Sequence, residues 1–236
     1  MKKCELIVAL DVPDSSSIGG IVDRLPDEVR WYKVGLELFA AEGPTALEPL
    51  VARGRHIFLD LKLHDIPRTV ERAVRAAARH GVGLVTLHAA GGRAMIAAAA
   101  EAARGAGPTA PKLLAVTVLT SLDASDLAAI GVGRSPSDQV LALADLALSA
   151  GADGIVCSPQ EAAAMRTRFG AGPLLVTPGI RLPADAVGDQ KRVATPAGAV
   201  RDGATHLVVG RPILEAADPA AAARRVLADM AAGEAG

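Results

Sequence analysis

The sequence of 236 residues is poor in the residue types that several classes of protein require. It contains one Trp, one Tyr and three Phe, too few aromatic side chains for the stacking surface of a protein that binds single-stranded nucleic acid. Its formal net charge is −1, so it lacks the basic excess that binding to a phosphate backbone demands. These two deficits argue against nucleic acid as a partner.

Cysteines and long apolar runs are also scarce. The two cysteines, Cys4 and Cys157, form no metal-binding spacing, no redox motif and no disulfide framework, which favours a reducing, cytoplasmic environment. The apolar run Leu6–Leu10 is too short for the hydrophobic part of a signal peptide. No run reaches the roughly 18 apolar residues typical of a membrane-spanning helix, so we expect no membrane association.

The chain does contain an alternation of short apolar runs with alanine-rich amphipathic segments. Most of the short runs are almost continuously apolar, as expected for strands of a sheet that is covered on both faces. Eight such runs predict strands at Leu6–Leu10, Trp31–Val34, Ile57–Leu61, Leu84–His88, Leu113–Val118, Gly154–Val156, Leu174–Thr177 and His206–Val209. The clearest predicted helices are Glu37–Ala52, Pro67–His80, Gly92–Arg104, Ser137–Ser149, Pro159–Phe169 and Pro219–Ala231.

This alternation predicts a parallel α/β fold. Eight units within this length favour a single (β/α)₈ TIM barrel over an open doubly wound sheet. No linker or repeat divides the sequence, so we predict one domain over residues 1–236. The longest polar connection is Gly179–Thr195, which we interpret as a mobile active-site loop after the seventh strand.

Charged residues interrupt the first three predicted strands. Asp60 and Lys62 are two residues apart in the third strand, so both side chains face the barrel interior and should pair with each other. Asp65 follows just beyond that strand, Asp11 follows the first strand, and Lys33 lies within the second. Because barrel enzymes build their active sites at the carboxyl ends of the strands, these five residues predict a catalytic cluster.

The choice of lysine in this cluster is informative. The sequence has six Lys and 19 Arg, yet both cations of the cluster, Lys33 and Lys62, are lysines. Lysine can release a proton whereas arginine cannot, so the choice favours proton transfer. The alternative is an ion-pair cluster that merely closes the mouth of the barrel.

Two Gly-Arg segments predict a phosphate site. Gly210-Arg211 follows the eighth strand and Gly179-Ile180-Arg181 follows the seventh, which are the two places where barrels often bind phosphate. The alternative for each segment alone is an ordinary turn. Thr120 and Ser121 follow the fifth strand and either contact a ligand or cap the next helix. The five histidines show no metal-ligand spacing, so we expect no metal.

Six motifs, in this order along the chain, closely resemble those of the orotidine 5′-phosphate decarboxylase family. They are Ala9-Leu10-Asp11, Tyr32-Lys33-Val34-Gly35, Asp60-Leu61-Lys62-Leu63-His64-Asp65-Ile66-Pro67, Val118-Leu119-Thr120-Ser121, Thr177-Pro178-Gly179-Ile180-Arg181 and Val209-Gly210-Arg211-Pro212-Ile213. The resemblance spans nearly the whole chain, and the sequence is most similar to the bacterial branch of the family. It implies a cofactor-free decarboxylation of orotidine 5′-monophosphate to uridine 5′-monophosphate.

The resemblance also implies roles for the charged cluster. Lys62 would donate a proton to C6 of the pyrimidine, with Asp60 beside the substrate carboxylate and Asp65 as a further catalytic carboxylate. Asp11 and Lys33 would hold the ribose hydroxyls, and Lys33 would extend the catalytic charge network.

The remaining implied contacts concern the base, the phosphate and a second subunit. Thr120 and Ser121 would lie near the base, and Arg181, Gln190, Gly210 and Arg211 would form the phosphate end, with Gln190 on the closing loop. Asp65 and Thr69 would reach into the partner subunit's site, which implies a homodimer.

Three alternatives remain open at this stage. Sister enzymes that act on sugar phosphates share the Asp-x-Lys-x-x-Asp element but use Mg²⁺ with an acidic ligand on the second strand, where this chain has the cation Lys33. A Schiff-base aldolase would need a neutral Lys62, which neighbouring carboxylates disfavour. A non-catalytic phosphate-binding barrel would have no need of the alternating charges.

Overall fold

Eight parallel strands pair in sequence order and close into a barrel, since β8 pairs with β1. A computed structural model of the protein describes residues 3–182 and 194–235. The strands are β1 (Glu5–Ala9), β2 (Trp31–Gly35), β3 (His56–Leu63), β4 (Leu84–His88), β5 (Lys112–Val116), β6 (Gly154–Val156), β7 (Leu174–Thr177) and β8 (His206–Val209). The predicted (β/α)₈ barrel is therefore confirmed.

Helices follow the strands and cover the outside of the barrel. They are α1 (Ile18–Arg24), α2 (Leu36–Glu42), α3 (Glu48–Val51), α4 (Pro67–Arg79), α5 (Gly92–Arg104), α6 (Ala124–Ala129), α7 (Pro136–Ser149), α8 (Pro159–Phe169), α9 (Pro196–Arg201), α10 (Arg211–Leu214) and α11 (Pro219–Glu234). None of these helices, within residues 3–182 and 194–235, is long and apolar enough to cross a membrane.

The prediction of one continuous helix over Glu37–Ala52 is wrong. The chain forms α2, a 3₁₀ turn over Gly43–Leu47, and then α3. Gly43 adopts φ of +60°, outside the right-handed helical region, and Pro44 has no N–H with which to continue the hydrogen-bond ladder. The hydrophobic period continues across this break, which explains why the period alone did not reveal it.

Several strand ends also differ from the sequence-based prediction. β1 runs from Glu5 to Ala9 rather than from Leu6 to Leu10, β5 ends at Val116 rather than at Val118, and β3 extends to Leu63. The end of a strand depends on which of its residues find a hydrogen-bonded partner on either neighbouring strand, and that pairing joins segments that are distant in sequence.

The core consists of two layers separated by the barrel wall. Inward-facing side chains fill the barrel interior in a small cluster made of Ile7, Phe58, Leu84, Leu114 and Val176. A much larger cluster lies between the wall and the helices and includes Leu59, the residue next to Phe58. The two layers follow from the alternation of side chains along each strand.

At the amino-terminal end of the barrel, Trp31 lies against two histidines. The ring centroids of Trp31 and His56 are 4.7 Å apart, and Trp31 meets His206 edge-on at 5.7 Å. His206 is 8% exposed, and burial lowers the pKa of its imidazole to about 4. Its Nδ1 lies 2.9 Å from Oγ1 of Thr205. His206 is therefore neutral in the folded protein above about pH 4.

This burial predicts a pH-dependent stability. An unfolded histidine titrates near pH 6.5, so below that pH the unfolded state takes up a proton that folded His206 does not take up until about pH 4. Stability is thus lost as the pH falls from about 6.5 to about 4, by about 2–3 kcal/mol at pH 4.5. We expect the free energy of unfolding, measured with urea, to fall by about 2–3 kcal/mol less for His206→Gln than for wild type between pH 7 and pH 4.5. Identical losses for the two proteins would contradict this assignment.

Candidate active site

A cavity of about 200 Å³ opens at the carboxyl ends of the strands. Its floor is apolar and consists of inward-facing side chains from five strands: Phe58, Val116, Val156, Val176 and Val208. One wall carries the charges of Lys33, Asp60 and Lys62. The position agrees with the location of active sites in barrels of this type, and the apolar floor lowers the local dielectric around the charges.

Asp60 and Lys62 form an ion pair on β3. Nζ of Lys62 lies 3.0 Å from both Oδ1 and Oδ2 of Asp60. The side chains are 30% exposed for Lys62 and 15% exposed for Asp60, so the pair is largely removed from water yet accessible from the cavity. The predicted pairing of these two inward-facing charges is confirmed.

Lys33 and Asp11 form a second ion pair beside the first. Nζ of Lys33 donates to Oδ1 of Asp11 at 2.9 Å, and Lys33 is the more buried partner, with 13% of its side chain exposed. A Cβ on Gly35 would lie 3.0 Å from this ammonium nitrogen, so the glycine leaves the space that Nζ occupies. Four of the five predicted charges, those of Asp11, Lys33, Asp60 and Lys62, therefore lie together at one mouth of the barrel.

The backbone of β3 is irregular at Lys62. Its pairing with β4 shifts register between Leu59 and Leu63, so three residues of β3 lie opposite Thr86 alone. Lys62 has φ of +51°, a left-handed conformation that is strained for a residue with a Cβ. The N–H of Lys62 donates to Oγ1 of Thr86 at 2.8 Å, and that hydroxyl donates to Oδ1 of Asp60 at 2.9 Å.

Thr86 is a site residue that the sequence reasoning missed. It is fully buried, with 0% of its surface exposed. The available signal was a hydroxyl at the centre of the otherwise apolar run Leu84–His88, because a buried polar group needs a hydrogen-bond partner. Next to it, the His88 ring lies 5.3 Å from that of His64, and burial, followed by the nearby positive charges, lowers the pKa of His88.

Asp65 and Thr69 do not line this cavity. Both are exposed and lie at the start of α4, where Oδ1 of Asp65 accepts from the backbone N–H of Ile66 at 2.6 Å. The sequence pattern predicts Asp65 in the charged cluster together with Asp60 and Lys62. Among the described residues of the chain, Asp60 is the carboxylate that pairs with Lys62.

The segment after β5 contributes to the cavity rim. Thr120 lines the cavity together with Leu119, whereas Ser121 lies outside the lining and is exposed. Neither hydroxyl residue caps the next helix, because Asp123 occupies the N-cap of α6 and accepts from the N–H groups of its first turn. The capping alternative for Thr120 and Ser121 is therefore wrong.

The predicted phosphate end is partly described. Gly210 is the N-cap of α10 and Arg211 its first residue, and a Cβ on Gly210 would come within 3.4 Å of Oδ2 of Asp11. Arg181 lies beyond β7, where its N–H donates to the carbonyl of Ala194 at 3.0 Å. The predicted phosphate ligand Gln190 and most of the predicted loop Gly179–Thr195 lie outside the described residues.

Comparisons with known proteins agree with this arrangement. The family model described as Orotidine 5′-phosphate decarboxylase / HUMPS family matches residues 5–226. A curated protein of Anaeromyxobacter sp. (strain K), named orotidine 5′-phosphate decarboxylase, is 56% identical over 231 residues, which cover 98% of this chain and 100% of that protein. A protein of the same name from Halorhodospira halophila is 54% identical and covers 96% of both chains.

A solved structure supports the same grouping. The crystal structure of orotidine 5′-phosphate decarboxylase from Lactobacillus acidophilus matches with a TM-score of 0.87 at 39% identity, covering 97% of this chain and 99% of that chain. The resemblance inferred from the six motifs is thus confirmed. This chain belongs to the orotidine 5′-phosphate decarboxylase / HUMPS family.

Proposed function

We propose that this protein is a carboxy-lyase that converts orotidine 5′-monophosphate to uridine 5′-monophosphate and CO₂, the last step in making this pyrimidine nucleotide. The observation that carries the proposal is the ion pair of Asp60 and Lys62 above the apolar floor of the cavity. The curated relatives at 54% and 56% identity bear the name of this decarboxylase, which supports the choice of substrate.

In the proposed reaction, the bond between C6 and the carboxylate breaks and CO₂ leaves. The electron pair stays on C6, where no neighbouring carbonyl can delocalise it, so a positive charge held close to C6 must stabilise it. The ammonium group of Lys62 supplies that charge and then donates its proton to C6. Water restores the proton on Lys62, and no cofactor takes part.

The surroundings of Lys62 fit this role. Its two contacts with the Asp60 carboxylate fix the ammonium group, so little reorganisation is needed as charge develops on C6. The apolar floor excludes water and strengthens the interaction between the ammonium group and the carbanion. Lys33 and Asp11, held together at 2.9 Å, present a donor and an acceptor to the ribose hydroxyls.

The phosphate end contributes at a distance. Arg211 and the backbone at Gly210 would bind the 5′-phosphate at the mouth of the barrel, with Arg181 and Gln190 completing the site. Thr120 and Ser121 would contact the base. Binding energy from the non-reacting phosphate can be used to orient the pyrimidine over Lys62 and to drive closure of the site.

The proposal includes a cytoplasmic homodimer with shared sites. Asp65 and Thr69 are exposed on the protomer, and between them lies Ile66, an apolar side chain that is 67% exposed. Exposed apolar surface beside exposed catalytic candidates supports contact with a second subunit. In the proposed dimer, these residues enter the partner's cavity and Asp65 supplies a second carboxylate beside the partner's ammonium group.

Subunit exchange tests the shared site. Lys62→Ala and Asp65→Asn, each nearly inactive alone, should recover activity when mixed and allowed to exchange, because each heterodimer holds one site with both residues intact. Random exchange at equal concentrations predicts roughly one quarter of the wild-type activity for a two-fold symmetric dimer. Exchange shown by mass spectrometry without any recovery would overturn cross-subunit catalysis.

A spectrophotometric assay tests the proposed function itself. We expect wild type to consume orotidine 5′-monophosphate, followed as loss of the orotate absorbance, at the same rate with and without excess chelator. A well-folded protein that is inactive in this assay, but active on a sugar phosphate with Mg²⁺, would instead support the other branch of the family. The position of Lys33 on β2 argues against that outcome, since its cation would repel the metal.

A further inference from the structure

We propose that Thr86 is a positioning residue that sets both the backbone of Lys62 and the carboxylate of Asp60 for the reaction. This inference rests on the proposed function for its kinetic consequence, but its structural part stands on the hydrogen bonds alone. Thr86 belongs to β4, a strand that contributes no charged residue to the predicted cluster, and its hydroxyl touches both members of the β3 ion pair.

The direction of each hydrogen bond follows from the chemistry of the groups. The backbone N–H of Lys62 can only donate, so Oγ1 of Thr86 accepts from it at 2.8 Å. An ionised carboxylate can only accept, so the Thr86 hydroxyl donates to Oδ1 of Asp60 at 2.9 Å. One hydroxyl thus connects the peptide of Lys62 to the carboxylate that holds the Lys62 ammonium group.

The hydroxyl replaces a missing partner in the sheet. Three residues of β3 face the single residue Thr86 where the register shifts, so a peptide N–H in the bulge loses its ladder carbonyl. Thr86 is fully buried, so a hydroxyl is needed to satisfy this N–H in the absence of a backbone partner.

The strained conformation of Lys62 makes this contact consequential. Lys62 is the one non-glycine residue with positive φ in the described part of the chain, and such a conformation persists when surrounding contacts hold it. The bend lets Nζ return to both oxygens of Asp60. Without the hydroxyl, we expect the bulge to relax and the ammonium group to lose its fixed position.

Substitution of the hydroxyl alone tests this assignment. Thr86→Val keeps the shape and should lower kcat about 10- to 100-fold, whereas Thr86→Ser should stay within about three-fold of wild type. The dissociation constant for uridine 5′-monophosphate should change little in either variant, because Thr86 acts on the reacting group. As a matched control, Thr117→Val removes another buried strand-end hydroxyl, for which the described residues provide no partner, and should leave kcat unchanged.

Amide hydrogen exchange provides a readout that does not depend on activity. The Lys62 amide should exchange at least about 10-fold faster in Thr86→Val than in wild type or Thr86→Ser, while the amide of Ala115 in β5 stays protected. Unchanged Lys62 exchange in Thr86→Val would overturn the positioning role, as would wild-type kcat in a protein that turns over the nucleotide. If wild type is inactive on orotidine 5′-monophosphate, the proposed function fails and the exchange result alone decides the role of Thr86.

Discussion

Replacing Lys62 by alanine is expected to lower kcat for orotidine 5′-monophosphate by at least about 10³-fold. General acid catalysis contributes about 10² to 10⁴ and a fixed charge at the reacting atom a further large factor, and Lys62 is proposed to supply both. The measurement is the loss of orotate absorbance at saturating substrate, with circular dichroism to confirm folding. Activity within ten-fold of wild type would remove Lys62 from the mechanism.

Lys62→Arg separates the two contributions of the ammonium group. Arginine keeps a positive charge near Asp60 but cannot release its proton in a protein. If proton donation is essential, Lys62→Arg should be nearly as inactive as Lys62→Ala. If the charge alone matters, it should retain substantial activity, and water would then be the proton donor to C6.

Replacing Arg211 by alanine is expected to lower kcat/KM for the nucleotide about 10²-fold while changing turnover of the phosphate-free nucleoside less than about three-fold. The reason is that Arg211 begins α10 at the mouth of the barrel, where it is proposed to bind the phosphate. The nucleoside has no phosphate for Arg211 to bind, so its slow reaction should not depend on this guanidinium. The comparison requires both substrates to be assayed with the same enzyme preparation.

A matched control for Arg211 lies at the opposite end of the barrel. Arg79 is exposed and is the last residue of α4, a helix that runs from the carboxyl ends of the strands back to their amino ends. Arg79→Ala changes the net charge equally and should leave both substrates unaffected. Equal losses for nucleotide and nucleoside in Arg211→Ala would show that Arg211 does not act through the phosphate.

The barrel could be predicted because each of its strands has a local signature. Leu84–His88, Gly154–Val156, Leu174–Thr177 and His206–Val209 have the predicted bounds, and glycine, proline or a polar residue directly precedes each of these apolar runs. The helix prediction over Glu37–Ala52 failed because a continuing hydrophobic period outweighed the Gly43-Pro44 break. The α/β class therefore follows from local patterns, whereas individual ends depend on neighbours.

Much of the charged site could also be predicted. Alternation along β3 places Asp60 and Lys62 on one face, and parallel strands bring their carboxyl ends to one edge, which unites this pair with Lys33 and Asp11. The role of Thr86 could not be predicted, because it arises from a register shift between β3 and β4. No pattern within either strand specifies that shift.

The sequence by itself determined the number of strands, the parallel α/β class and the charged residues that lie at the mouth of the barrel. These properties depend on side-chain chemistry and on periods of two or 3.6 residues. The tertiary structure decided which atoms meet: the bidentate contact of Lys62 with Asp60, the left-handed backbone of Lys62 and its bond to Thr86. Those contacts depend on the register between strands, which is fixed by packing of the whole barrel at once.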